Sequence, residues 1–157
     1  MSEHGSSTIS AVEEDIEQVY ASPSHRVQPR LRLLLEAEPS ALAFLRHETI
    51  HWLRQLRWPE TPITDAVIAL NAAVSNCVQH AYGEPGGYIS VHGLAASHGS
   101  DSAARFTVRD WGHWKIRDPS RRCFGMALMG ELTEEFFIET SKDGTVIILT
   151  TPVVATS

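Results

Sequence analysis

The spacing of apolar residues divides this chain into a helical half and a strand-rich half. Arg30-Leu31-Arg32-Leu33-Leu34-Leu35 is short, apolar, β-compatible and closed by Pro39, which predicts a strand. From Ser40 to Arg57, the positions Leu42, Leu45, Ile50, Leu53 and Leu56 recur near the helical period, with Ser40 placed as the N-cap and Trp58-Pro59 as the stop. A second helix opens at Thr61-Pro62 or Thr64 and runs to about Tyr82, where Gly83 and Pro85-Gly86-Gly87 end it. Tyr88 to Leu94 and Arg105 to Asp110 then read as two strands joined by a polar segment, Ala96 to Ala103. Trp111 to Phe124 is irregular, and Gly125 to Leu132 reads as a short helix. Phe136 to Thr140 and Thr145 to Thr150 form a final hairpin around Lys142-Asp143-Gly144.

Helices early and strands late, without a βαβ rhythm, predict an α+β fold: a two-layer α/β sandwich with helices on one face of a mixed, mostly antiparallel sheet. Met1 to Ser10 is polar and serine-rich, so residues 1–25 are expected to be a mobile tail with a short helix at Glu13 to Tyr20, and residues 26–152 one domain.

Composition narrows the partners. The chain has 157 residues, 43% hydrophobic and 20% charged, with 13 Lys+Arg against 19 Asp+Glu for a net charge of −6. Such an acidic surface repels a phosphate backbone, so direct binding to nucleic acid is not expected. The longest uncharged run, Ala66 to Ala81, is broken by Asn71, Ser75, Asn76, Gln79 and His80, too polar for a membrane span. Cys77 and Cys123 have no metal-ligand spacing, and the N-terminus lacks the pattern of a signal peptide, so a cytoplasmic location is expected.

Four features carry candidate chemistry. Asn76 lies inside the second helix, where Asn is a weak helix former; its amide oxygen suits a magnesium ion bridging phosphates, or it is simply a satisfied polar residue. Asp110-Trp111-Gly112 ends a strand: a carboxylate there can accept from an adenine amino group while Gly112 lets the backbone pass close, although a turn alone also uses Asp-x-Gly. Residues 109–122 hold Arg109, Lys115, Arg117, Arg121 and Arg122 against Asp110 and Asp118, a local +3 in an acidic protein that suits a polyphosphate. The free amides at the start of helix 125–132 would suit a phosphate too. Gly144-Thr145 places Thr145 where it can reach a base, or is hairpin chemistry alone. His47 and His51 stand four residues apart on the first helix, with no third ligand in view, so no zinc site is expected.

In this order the features resemble the bacterial anti-sigma-factor serine/threonine kinases of the GHKL (gyrase, Hsp90, histidine kinase, MutL) superfamily. The resemblance runs from about Leu31 to Leu149. It rests on Ala73-Val74-Ser75-Asn76 through His80-Ala81-Tyr82, on Asp110-Trp111-Gly112, on Phe124-Gly125-Met126-Ala127-Leu128-Met129 and on Asp143-Gly144-Thr145. It implies a Bergerat-type, histidine kinase-like ATPase domain holding Mg-ATP between the long helix and a lid. Asn76, His80, Asp110, Gly112, Arg121, Arg122, Gly125, Met126 and Thr145 would contact the nucleotide, with Asn76 on magnesium. It also implies binding of a sigma factor, phosphorylation of an antagonist protein and a homodimer.

The sequence departs from that pattern where the general base is expected. The family's Glu, four residues before the Asn, is here Ala72. Four residues leave the two side chains about 40° apart on one helix face, but a methyl group accepts no proton. Trp114 and Cys123 replace two family glycines. Three readings follow: an active or slow kinase, a non-catalytic binding module with a structural nucleotide, or an interaction domain with a vestigial pocket.

Overall fold

Burial that alternates along most of the strands marks one face of the sheet as the one the helices cover. In the computed structural model, residues 26–82, 86–113 and 124–157 are described. The expected tail and its helix at Glu13 to Tyr20, the glycine at position 83, and the segment holding Trp114, Arg121, Arg122 and Cys123 lie outside them. Among the described residues the helices are α1 (Ala41–Gln55), α2 (Glu60–His80) and α3 (Phe124–Leu132). The strands are β1 (Arg26–Val27), β2 (Leu31–Glu36), β3 (Tyr88–His98), β4 (Asp101–Asp110), β5 (Glu135–Ser141), β6 (Gly144–Thr150) and β7 (Val154–Ala155).

The sheet runs β1-β3-β4-β6-β5, with β2 beside β1 along one side of β3 and β7 beside β6 along one side of β4. Every described pairing is antiparallel. Its inner face supplies Leu31, Leu35, Ile89, Val91, Phe106, Val108, Ile147 and Leu149 to a core shared with Leu45, Trp52, Leu53, Ile63, Leu70 and Val74 of the helices. Trp52 meets Phe106 edge-on, with ring centroids 5.8 Å apart. The indole of Trp58, 5% exposed, donates to Ser102 Oγ at 3.0 Å, so its polar atom is satisfied inside the core. This is the expected two-layer α+β sandwich. No helix of the described residues is long and apolar enough to cross a membrane.

Three local expectations are corrected. The polar stretch Ala96 to Ala103 is not a long connection: β3 continues to His98, β4 begins at Asp101, and Gly99 turns at φ +61°. Alanine and serine carry little strand propensity, but β1 pairs with Ser97 and Ala96 on one side and β7 with Asp101 and Ser102 on the other. Ser40 does not cap α1 through its side chain. It is already helical (φ −62°, ψ −25°), and its hydroxyl donates to Glu38 Oε1 at 3.0 Å. The first amides of α1 bond instead to the carbonyls of Glu38 and Pro39. Thr64 does not open α2; the helix begins at Glu60 after extended Pro59, and the Thr64 hydroxyl donates back to the Glu60 carbonyl. Pro62 then falls in the first turn, where its missing N–H costs nothing.

Candidate functional site

The second half of α2 delivers Ala72, Asn76 and His80 to one helix face, spaced four residues apart. Against this half of the helix comes the end of β4, with Asp110, and beside it the start of β6, where Thr145 pairs with Asp110 across the ladder. Asp110 is 1% exposed. Burying a carboxylate demands donors, and its Oδ1 accepts from the Gly112 amide at 3.1 Å and the Thr145 amide at 3.2 Å. Those two bonds hold together a strand end, the turn beyond it and a neighbouring strand.

The glycines expected around this carboxylate are required by close backbone approach. A Cβ on Gly112 would lie 1.8 Å from the Ala81 carbonyl oxygen, which accepts the next amide, that of His113, at 2.8 Å. A Cβ on Gly144 would lie 2.0 Å from the Asp110 carbonyl oxygen, and its φ of +131° already favours glycine.

Asn76 is 3% exposed, and its Nδ2 finds no hydrogen-bond partner among the described residues. A buried amide left this way asks for a ligand, since an orphaned polar group costs about 1–3 kcal/mol. The unpartnered Nδ2 is a donor and suits a phosphate oxygen, whereas a magnesium ion would be held by Oδ1 of the same amide. Ala72 is nearly buried, at 8% exposure, and brings only a methyl to the same face. Asn71 is turned away from it, accepting from Arg46 Nη1 of α1 at 3.5 Å. His80 sits partly buried in the last turn of α2. Gly125 and Met126 lie in the first turn of α3, which packs on α2, with Met126 half-buried against the core. Thr145 is buried and meets Asp110 through its backbone amide. Arg121 and Arg122 fall outside the described residues.

Two contributors were not singled out from the sequence. Cys77, completely buried, lies against Asp110; burial pushes its thiol pKa up, and the charge and hydrogen bond of Asp110 push it further. The S–H therefore stays protonated beside the carboxylate. With Cys123 replaced by serine, Cys77 should resist iodoacetamide at pH 8 for as long as the protein is folded and react at once in denaturant. Rapid alkylation of the folded protein would show that the thiol does not pack as described. Tyr82 is the other contributor. Its hydroxyl accepts the Trp111 amide at 2.8 Å and donates to the Tyr88 carbonyl at 2.6 Å. Burial pushes its phenol pKa up; the Trp111 amide pulls it down, and the nearby Asp110 charge adds to the rise. The chain offered one signal for it, a tyrosine just before a Gly/Pro-rich turn, and nothing there names its partners.

Comparison with known proteins bears on the fold and the family. The crystal structure of the RsbU and RsbW domains of Rv1364c from Mycobacterium tuberculosis is similar, with a TM-score of 0.65 and 27% identity. The match covers 80% of this chain but 33% of that one, so the chain spans about a third of the protein it resembles. The family model of the histidine kinase-like ATPase domain matches residues 35–151, which include every described element of the site. The chain belongs to the histidine kinase-like ATPase domain family, within the superfamily its motifs resemble.

Proposed function

We propose that this domain binds ATP with magnesium and serves as an anti-sigma-factor-like regulator, related to the protein serine/threonine kinases that hold a sigma factor and an antagonist protein. The observation that carries the reading is the pair formed by a buried carboxylate at a strand end, Asp110, and a buried amide with an unsatisfied Nδ2 on the facing helix, Asn76. Family membership over residues 35–151 and the RsbW-domain neighbour support it.

In this reading Asp110 accepts the amino group of the adenine, Gly112 gives the base room, and Asn76 holds the magnesium. Arg121, Arg122 and the first amides of α3, at Gly125 and Met126, would neutralise the phosphates. Bound Mg-ATP supplies the transferable phosphoryl group. The chain's own contribution is orientation and charge; position 72, where the family carries its base, offers only a methyl group. A nucleotide that stays bound and turns over slowly follows from that single substitution; the homodimer and the capture of a sigma factor and an antagonist protein follow from the family resemblance. The second reading, a non-catalytic interaction module with a structural nucleotide, is favoured by the same residue.

Calorimetric titration with ATP, with and without magnesium, tests the pocket. Wild type should bind in a magnesium-dependent way. Asp110→Asn keeps an oxygen for the Gly112 and Thr145 amides but turns the other carboxylate oxygen into a donor that opposes the adenine amino group, and should weaken binding about 10–100-fold, the range of one charge-assisted hydrogen bond. Asn76→Ala should remove the magnesium dependence. Unchanged affinity in both variants would exclude this pocket as the nucleotide site.

A further inference from the structure

Strands β3 and β4 stop pairing at Ile89 and Asp110, so the next residues along them are Tyr88 and Trp111. The Trp111 amide and the Tyr88 carbonyl do not bond to one another. The hydroxyl of Tyr82 stands between them, accepting from the first at 2.8 Å and donating to the second at 2.6 Å. A side chain from beyond the end of α2 thus relays the last rung of the hairpin. Its ring needs two glycines to lie there: a Cβ on Gly87 would fall 2.3 Å from Tyr82 Cε1, and one on Gly112 would fall 3.0 Å from Cδ1.

The relayed bond has a consequence for Asp110. The Trp111 amide belongs to the peptide plane that follows Asp110, so fixing that amide fixes the backbone torsion from which the Asp110 side chain departs. The Gly112 and Thr145 amides then hold Oδ1 from two sides. We propose that Tyr82 is a positioning residue of the nucleotide pocket, aiming the Asp110 carboxylate at the exocyclic amino group of a purine and so setting the preference for adenine. This rests on the reading of Asp110 as the acceptor of the base.

The test compares the full chain's affinity for Mg-ATP with that for the magnesium complex of purine riboside triphosphate, which lacks only the 6-amino group. Wild type should prefer ATP about ten-fold or more, as one charge-assisted hydrogen bond allows. Tyr82→Phe keeps the ring and removes the hydroxyl; the preference should fall to about two-fold or less through loss of ATP affinity, with the analogue bound as before, since the bond to the amino group alone is misdirected. Gly87→Ala, which displaces the ring and keeps the hydroxyl, should do the same. An equal loss for both nucleotides would mark Tyr82 as merely structural and overturn the inference, as would a preference retained in the variant. A wild type that binds both equally overturns the reading of Asp110, and the inference with it. Wild-type hydrogen exchange is the check that needs no variant: the Trp111 amide should be protected like that of Val108, and an amide exchanging freely overturns the relay.

Discussion

Ala72→Glu should raise phosphotransfer from ATP to a serine-bearing partner, or ATP hydrolysis without one, by about 10²–10⁴-fold, the range that a positioned general base contributes. The position is suited to the change. Ala72 lies one helical turn before Asn76, whose Nδ2 has no partner among the described residues, so the introduced carboxylate can accept from it along the helix. The cost is local. At 8% exposure the new charge loses solvent, and a stability loss of about 1–3 kcal/mol is expected. Thermal unfolding and ATP titration of the variant therefore accompany the rate measurement. A folded variant that binds ATP and gains no activity would show that a base at position 72 is not all that the site lacks, and would favour the non-catalytic reading.

The second large effect is structural. Gly112→Ala should destabilise the protein by about 3 kcal/mol and abolish measurable ATP binding. The added methyl carbon meets the Ala81 carbonyl oxygen at 1.8 Å, a backbone atom at the end of α2 that cannot swing aside as a side chain would. Relief requires residues 111–113 to move away from the helix, which breaks the His113 bond to Ala81 and pulls the Gly112 amide off Asp110. Overpacking of about 1–3 kcal/mol and two hydrogen bonds at about 1 kcal/mol each set the scale. Gly130→Ala is the matched control. Its nearest new contact is Phe136 Cε1 at 3.4 Å, and alanine inside a helix is favoured over glycine by about 0.5–1 kcal/mol. Thermal melts of the two variants should move in opposite directions; a melt for Gly112→Ala within a degree of wild type would refute the close passage.

Legibility in the sequence followed the kind of force involved. The helix α1 and the strand β2 were readable because each buries one face at its own period, α2 because its long apolar run is bounded by clear stops, and β6 because it is a short apolar run, buried at Ile147, Ile148 and Leu149. The ends were less readable. Thr64 resembles a cap but bonds inside a turn already formed, and Arg57 takes φ 63°, the left-handed conformation a glycine usually supplies after a helix. The strands β1 and β7, two residues each, left no pattern. They exist because β3 and β4 offer unpaired edges there, and the same pairing extends β3 to His98 and starts β4 at Asp101, on either side of the turn at Gly99.

The site divides in the same way. Asn76, Asp110, Gly112 and Thr145 were nameable one at a time, from residue type, order and resemblance. The absence of a base at Ala72 is wholly a property of the sequence, because no fold gives a methyl group a proton affinity. What the sequence alone determined is therefore the alternation of apolar faces, the class of the fold and the inventory of chemical groups. Only the tertiary structure decided which buried polar groups meet: Asp110 with amides two and 35 residues away, and Tyr82 with an amide 29 residues away. Hydrophobic burial is non-directional and leaves its period in the chain, whereas a hydrogen bond needs two atoms within about 3 Å, and that distance is set by the path of the backbone between them.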